Sequence, residues 1–316
     1  MNQIKNKICS LFSGIGGIDL GFQQAGFDVV WANELDKDAA YTYEYNFGKG
    51  VLVQSNIKKI NPESIPGFDV LVAGFPCQAF SVAGKQRGFE DSRGNLFFEI
   101  ERFVKIKRPK VIFLENVANL LDHDDGKTFL TVYNTLVPYG YSFKYHVMDA
   151  CKYGNTPQHR ERIFIVAFLD SNECEYFNFP DEIPLERSLD DIIDRSIKHS
   201  NCYYYNKTNR YYDDLTKIVK SDTGVYRIYD HGIAQKSFNI CPTMTAYMGR
   251  CSERIPIIKD DFGIRRLTPY ECLALQGFPE DFKFPNIPLS SAYKQVGNSV
   301  CVPVIRRIAE EIKKVI

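Results

Sequence analysis

The chain carries no net charge: 39 Lys and Arg balance 39 Asp and Glu. A uniformly basic or acidic field is therefore excluded, and a nucleic-acid partner would need positive charge gathered locally. No two of the nine cysteines stand in a CxxC spacing, and their number is odd. Neither a disulfide framework nor a zinc site is indicated, so no metal is expected, and reduced thiols in a cytosolic protein fit better. No apolar run approaches the roughly 18–20 residues of a spanning helix, so no membrane is expected. Lys5 and Lys7 ahead of ICSLFSGIGGI imitate a signal peptide, but the glycines and Asp19 break up its apolar stretch. The sequence has neither internal repeats nor low-complexity tracts.

What is present is an alternation. Short apolar runs recur at 7–12, 27–32, 69–74, 110–116 and 162–168. Between most of them lie segments of helical spacing: 17–25, 96–107 and 128–138. Strands alternating with helices predict an α/β fold, a doubly wound and mostly parallel sheet covered on both faces. Near Asp170 the character changes. Residues 170–194 hold nine acidic residues and one basic, whereas 195–254 hold ten basic and five acidic together with many tyrosines. This second segment is expected to be a smaller, irregular or β-rich domain. Interleaved basic and aromatic residues suit a nucleic-acid surface, and composition alone leaves a tyrosine-rich domain with solvated lysines equally open. Helical signals return in LTPYECLALQGF, with Pro269 near a helix start, and in a final helix over 302–316.

The first strand-to-helix turn is rich in glycine: SLFSGIGGIDLGF places Gly14, Gly16 and Gly17 there. Glycine allows a tight turn and close approach of a ligand to the backbone. Glu34 follows at the end of the second strand, where an acidic residue typically binds ribose hydroxyls. The glycines alone would also suit a purely structural turn; the pairing with Glu34 favours an adenosine-bearing cofactor. A dinucleotide fingerprint would need a third glycine where Asp19 stands, so the spacing favours a ligand without a pyrophosphate, such as S-adenosylmethionine.

Four further stretches belong together. GFPCQAFS ends the strand 69–74, and LENV ends the strand 110–116 with Glu115. QHRER leads into the strand 162–168, and QVGNSV precedes the last helix. Ligands of open parallel sheets sit beyond the carboxyl ends of the strands, so Cys77, Glu115 and the glycine turn should converge. Each piece alone has a plainer explanation: a buried thiol, a surface carboxylate, a solvated RxR, an Asn-containing turn.

Taken in order, LFSGIGG, NELD, GFPCQAFSVAGKQRGFEDSRGNLF, ENV, QHRER, RRLTPYECLALQGFP and QVGNSV cover nearly the whole chain. In this the sequence resembles the DNA (cytosine-5)-methyltransferases, especially the single-chain bacterial enzymes of restriction–modification systems. The resemblance implies a Rossmann-like methyltransferase sheet in a catalytic domain over 1–185, an inserted target-recognition domain over 186–285, and a C-terminal segment over 286–316 that returns to the first domain. It implies S-adenosylmethionine as cofactor, leaving as S-adenosylhomocysteine, without a metal. It further implies double-stranded DNA as partner, a cognate restriction endonuclease, a monomer, and a bacterial cytoplasmic location.

Residue roles carry over by the same resemblance. Cys77 is the expected nucleophile, Glu115 the group on ring nitrogen 3, Arg162 a contact to the base carbonyl, and Arg160 a helper in positioning. Cofactor contacts fall on Phe12, Gly14, Ile15, Gly17, Glu34, Asn56, Ile57, Pro76, Leu96, Asn298 and Val300. DNA contacts are expected at Gln78, Ser81, Lys85, Arg87, Arg93 and Gln158, with Ser81 to Gly94 as a loop closing behind an extruded base. Thr243 occupies the place of the recognition domain's Thr-apolar pair, and Arg210, Arg227, Arg250 and Arg254 are candidate base readers or phosphate ligands. Three departures are visible: Ser10 and Asn56 where many members have Asp, and Leu35 where many have an aromatic residue. A tRNA cytosine methyltransferase would share every catalytic motif, and a non-catalytic DNA-binding protein would not need Cys77 with Glu115.

Overall fold

The computed structural model describes residues 6–75, 96–220, 224–229 and 232–316, without the side chains of 234–238. The chain divides into two compact units: Met1–Met148 with Glu161–Asp181 and Val304–Ile316, and Asp149–Arg160 with Glu182–Pro303.

The first unit is built on a seven-stranded sheet in the order β3-β2-β1-β4-β5-β7-β6. Its strands are β1 (Lys7–Leu11), β2 (Asp28–Glu34), β3 (Leu52–Gln54), β4 (Val70–Gly74), β5 (Val111–Val117), β6 (Ser142–Asp149) and β7 (Glu161–Phe168). The helices between them are α1 (Gly17–Gln24), α2 (Lys37–Phe47), α3 (Leu96–Lys107) and α4 (Lys127–Leu136). β1, β4, β5 and β7 are buried along nearly their whole length, as strands covered on both faces must be. α3 shows why its segment is helical: Phe97, Ile100, Phe103 and Val104 fall on one buried stripe. They pack with Leu11, Leu71, Ile112 and Ile165 of the sheet. On α1, Gly21 has no room for a side chain, because a Cβ there would lie 2.6 Å from Ile305.

The α/β, mostly parallel architecture agrees with the expectation. β1 pairs in parallel with β2 and β4, and β4 with β5. β7 is the exception and runs antiparallel to β5. β3, β6 and α2 were not among the anticipated elements. β3 is three residues long, and α2 depends on Asp36, whose side chain accepts from the N–H groups of Asp38 and Ala39.

The second unit contains the short helix α5 (Ala150–Tyr153) and a four-stranded sheet in the order β11-β10-β8-β9. These strands are β8 (Gly224–Tyr229), β9 (Gly232–Phe238), β10 (Ile257–Asp260) and β11 (Gly263–Arg266). The expectation of a β-rich segment holds in this antiparallel sheet. Its densest polar feature is Arg265, fully buried with Asp260 at 2.6 Å and Glu271 at 2.7 Å. Glu271 also closes a capping box with Thr268 at the start of α6 (Pro269–Ala274). The helix α7 (Leu289–Asn298) lies in this unit as well, and α8 (Val302–Lys313) is the last helix.

Candidate active site

The site in the first unit begins at the turn after β1. Phe12, Gly14 and Gly16 take positive φ values of 56°, 56° and 86°. Gly16 meets the ring of Phe47, 2.3 Å from where a Cβ would stand. Gly14 is different: among the described residues a Cβ there would have nothing within 4 Å. Gly16 is therefore required by packing, whereas Gly14 leaves backbone open. Glu34, at the end of β2, meets this turn directly. Its Oε2 accepts from the Gly14 N–H at 2.8 Å, and its Oε1 accepts from Leu35 and Asp36 at 2.8 and 2.7 Å.

The other expected cofactor residues of this unit divide by exposure. Ile15 and Ile57 are buried, and Phe12 and Leu96 pack partly buried against the α3 side of the core. Asn56 uses its side-chain oxygen to accept from the Lys58 N–H, which leaves one further lone pair on that oxygen. Leu35, in place of an aromatic residue, is 62% exposed.

Beneath the turn lies Asp19, in the first turn of α1 and fully buried. The Tyr43 hydroxyl donates to it at 2.7 Å. Burial raises its carboxyl from 3.8 to about 6, against the opposing pull of hydrogen bonds from Ser10, Tyr43 and its own backbone N–H.

The second part of the site is the carboxyl edge of β4 and β5. Gly74 ends β4 beside Glu115 of β5. A Cβ on Gly74 would stand 3.3 Å from Glu115 Oε2. Arg162, at the start of β7, lies opposite Val117, and its Nε reaches Glu115 Oε1 at 3.1 Å with both side chains largely shielded. The reversed direction of β7 makes this possible: only an antiparallel strand begins at the edge where its neighbour ends. The Asn116 side-chain amide donates to the Phe75 carbonyl at 2.9 Å and fixes the chain as it leaves β4. Pro76, Cys77, Gln78, Ser81, Lys85, Arg87 and Arg93 lie outside the described residues. In sequence, Cys77 stands three positions after Gly74.

Several expected residues of the second unit are engaged within it. Arg160 is 3% exposed. Its guanidinium donates to the carbonyls of Met244 at 2.8 Å, of Gly297 and of Ser299. It is a brace, held by backbone carbonyls. Gln158, expected at DNA, is fully buried and donates to the Leu275 carbonyl at 3.0 Å. Its alternating neighbours explain this: in QHRER, residues 158 and 160 point inward and His159 outward. Thr243 donates to the His159 carbonyl at 2.7 Å. Arg227 donates to the carbonyls of Arg254 and Thr243, both at 3.0 Å. Arg210 pairs with Glu253 at 2.6 Å and stacks on Tyr211. Arg254 lies over Tyr229 and Tyr247, and Arg250 is exposed. Asn298 is exposed and Val300 buried, both in this second unit.

Comparison with known proteins gives one consistent answer. A family model described as C-5 cytosine-specific DNA methylase matches residues 6–314. The type II methyltransferase M.Bsp6I of Bacillus sp. (strain RFL6) is 49% identical over 311 residues, 98% of each chain. The type II methyltransferase M.HhaI of Haemophilus parahaemolyticus is 38% identical over 99% of this chain and 97% of its own. Among solved structures, a mutant DNMT2 of Spodoptera frugiperda superposes with a TM-score of 0.76 at 20% identity, over 98% of this chain and 100% of that one. That last likeness shows the fold alone. A glycine turn joined to a strand-end acid, a Glu–Arg pair at the sheet edge and a family match along nearly the entire sequence agree: the chain belongs to the C-5 cytosine-specific DNA methylases and is a DNA cytosine-5 methyltransferase.

Proposed function

We propose that the enzyme methylates carbon 5 of a cytosine extruded from a short specific sequence of duplex DNA, using S-adenosylmethionine and a covalent bond from Cys77. The observation that carries this reading is the Glu115–Arg162 pair at the carboxyl edge of the sheet, beside Gly74 and three residues before Cys77 in sequence. Bound S-adenosylmethionine supplies an electrophilic methyl group. The open backbone at Gly14 and the carboxylate of Glu34 beside it fit an adenosine-bearing ligand. With them, Phe12, Ile15, Gly17, Asn56, Ile57, Pro76, Leu96, Asn298 and Val300 are the residues that would hold it.

Carbon 5 of cytosine is a weak nucleophile. A thiolate at Cys77 adds to carbon 6, and the ring electrons move towards carbon 5. Glu115 binds or protonates ring nitrogen 3, so the displaced charge is accommodated. Arg162 holds Glu115 and contacts the base carbonyl. After methyl transfer a base removes the carbon-5 proton, the electrons return to the ring, and Cys77 is expelled with regeneration of the thiolate. Ordered water suits the part of that base.

The second unit, with its basic and aromatic surface, takes the part of target recognition, and Arg250 and Arg254 are its leading candidates for base contact. The type II names of the relatives support pairing with a restriction endonuclease. The enzyme acts as a soluble cytoplasmic monomer in this reading. No helix among the described residues is long and apolar enough to cross a membrane.

Duplex DNA carrying 5-fluorocytosine tests the mechanism, because fluorine blocks the elimination step. A denaturation-stable protein–DNA adduct that requires cofactor and vanishes in Cys77→Ala is expected, with duplex binding retained by the variant. Absence of the adduct in the parent enzyme refutes the covalent step. Methylation of tRNA with none of duplex DNA refutes the substrate.

A further inference from the structure

One cluster outside the assigned residues has the chemistry of a ligand site. Asp149, Cys151 and His159 each offer one donor atom, and the three atoms lie within 4.8 Å of one another. All belong to the segment Asp149–Arg160 of the second unit. Asp149 is held from both ends of that segment. Its Oδ1 accepts from the Arg160 N–H at 2.8 Å and from the Cys151 N–H at 3.4 Å. Its Oδ2 faces His159 Nδ1 at 2.9 Å, and Cys151 Sγ lies 3.4 Å from the same nitrogen.

A thiol, an imidazole and a carboxylate also make up a nucleophilic triad, but the geometry excludes one. A proton relay needs thiol and carboxylate on opposite ring nitrogens. Here both converge on Nδ1. Burial holds the Cys151 thiol up at about 12, the wrong direction for a free nucleophile. Three donor atoms within 4.8 Å of one another are instead what a cation requires. With metal–sulfur near 2.3 Å and metal–nitrogen or –oxygen near 2.0–2.2 Å, tetrahedral zinc separates its ligand atoms by roughly 3.3–3.6 Å. The separations of 2.9 and 3.4 Å reach that range with small side-chain shifts. A thiolate, an imidazole and a carboxylate together suit zinc better than magnesium or calcium. The Arg160 N–H on Asp149 supplies the outer hydrogen bond that metal-binding carboxylates usually have.

We propose that Asp149, Cys151 and His159 bind one zinc ion. The absence of CxxC pairs says nothing against this set, which is gathered across a loop. Coordination releases the thiol proton to solvent and moves the imidazole proton from Nδ1 to Nε2, so the ring stays neutral. Two unit charges from the carboxylate and thiolate balance the dication, and the exposed side of His159 leaves room for water as fourth ligand. The consequence is local stiffening. His159 donates its N–H to the Cys241 carbonyl at 2.9 Å and accepts from Thr243. A metal would therefore tie α5 to the loop that Arg160 braces and to CPTMTA.

Cobalt(II) and zinc titrations of the reduced, chelator-treated full-length protein test this. One equivalent of cobalt is expected to give a thiolate charge-transfer band in the near ultraviolet, bleached by equimolar zinc. Cys151→Ser should abolish the band, and His159→Ala should weaken zinc binding at least tenfold. Cys202→Ser, at an exposed thiol, should change neither. Zinc should raise the melting temperature of the parent but not of His159→Ala, whose exposed position makes misfolding no explanation. A band that survives in Cys151→Ser, or zinc binding unchanged in His159→Ala, overturns the proposal.

Discussion

Asp19→Asn should stabilise the enzyme at neutral pH, and by an amount that depends on pH in a defined way. The parent carboxyl is fully buried and ionises near 6 in the fold, against 3.8 when exposed. Between these values the folded chain holds the proton and the unfolded chain has released it. Stability contributed by the neutral acid is therefore complete below about pH 3.8, falls as pH rises through the window, and is gone above about pH 7. At about 1.36 kcal/mol per tenfold change in proton affinity, the full loss is about 3 kcal/mol. The amide keeps an acceptor for the Tyr43 hydroxyl and has no proton to lose in this range. Urea unfolding of parent and variant measures the difference directly. The advantage of Asp19→Asn should widen by about 2 kcal/mol between about pH 4.5 and about pH 8. A difference that stays constant with pH, or narrows, refutes the buried-carboxylate account.

Three further outcomes follow from the geometry. Gly16→Ala forces a Cβ to 2.3 Å from Phe47 at a positive φ and should cost more than about 2 kcal/mol of stability, whereas Gly14→Ala meets open space and should cost about 1 kcal/mol while weakening cofactor binding; equal effects in calorimetry would contradict the distinction. Arg265→Met strips the countercharge from buried Asp260 and Glu271 and should lower stability by about 3–5 kcal/mol, read as a drop in the denaturation midpoint. Glu115→Gln should leave folding and cofactor binding intact and lower kcat about 10²–10⁴-fold; an unchanged rate in a single-turnover methylation assay would remove Glu115 from the chemistry.

Much of the fold was readable because its strands are buried on both faces and so appear as unbroken apolar runs. The glycine turn and Glu34 were readable for a related reason: backbone geometry dictates both residue types. Glu115 and Arg162 could be named, but their meeting depends on β7 running against β5, which no local signal encodes. The inward side of QHRER was also hidden. A guanidinium held by three carbonyls and a buried glutamine look, in sequence, like polar surface residues. β3 is too short to leave a pattern, and α2 announces itself mainly through its cap at Asp36. The Asp149–Cys151–His159 cluster is assembled by the return of the chain after α5, across a gap longer than a metal-binding spacing.

The packing of residues 305–313 against α1 has a consequence for how the protein is made. Ile305, Ile308, Ala309 and Ile312 are buried in the first unit, and Ile305 fills the space that Gly21 leaves on α1. Lys313 donates to the Ala25 carbonyl at 2.9 Å. A ribosome therefore delivers α1 well before the helix that backs it, with 288 positions separating Lys313 from Ala25. During synthesis α1 has only part of its partner surface, and the turn it carries lacks its final support. Nascent chains should stay unable to hold cofactor until residues 305–313 have been made, and folding should be slow, as contacts between residues so far apart in sequence require.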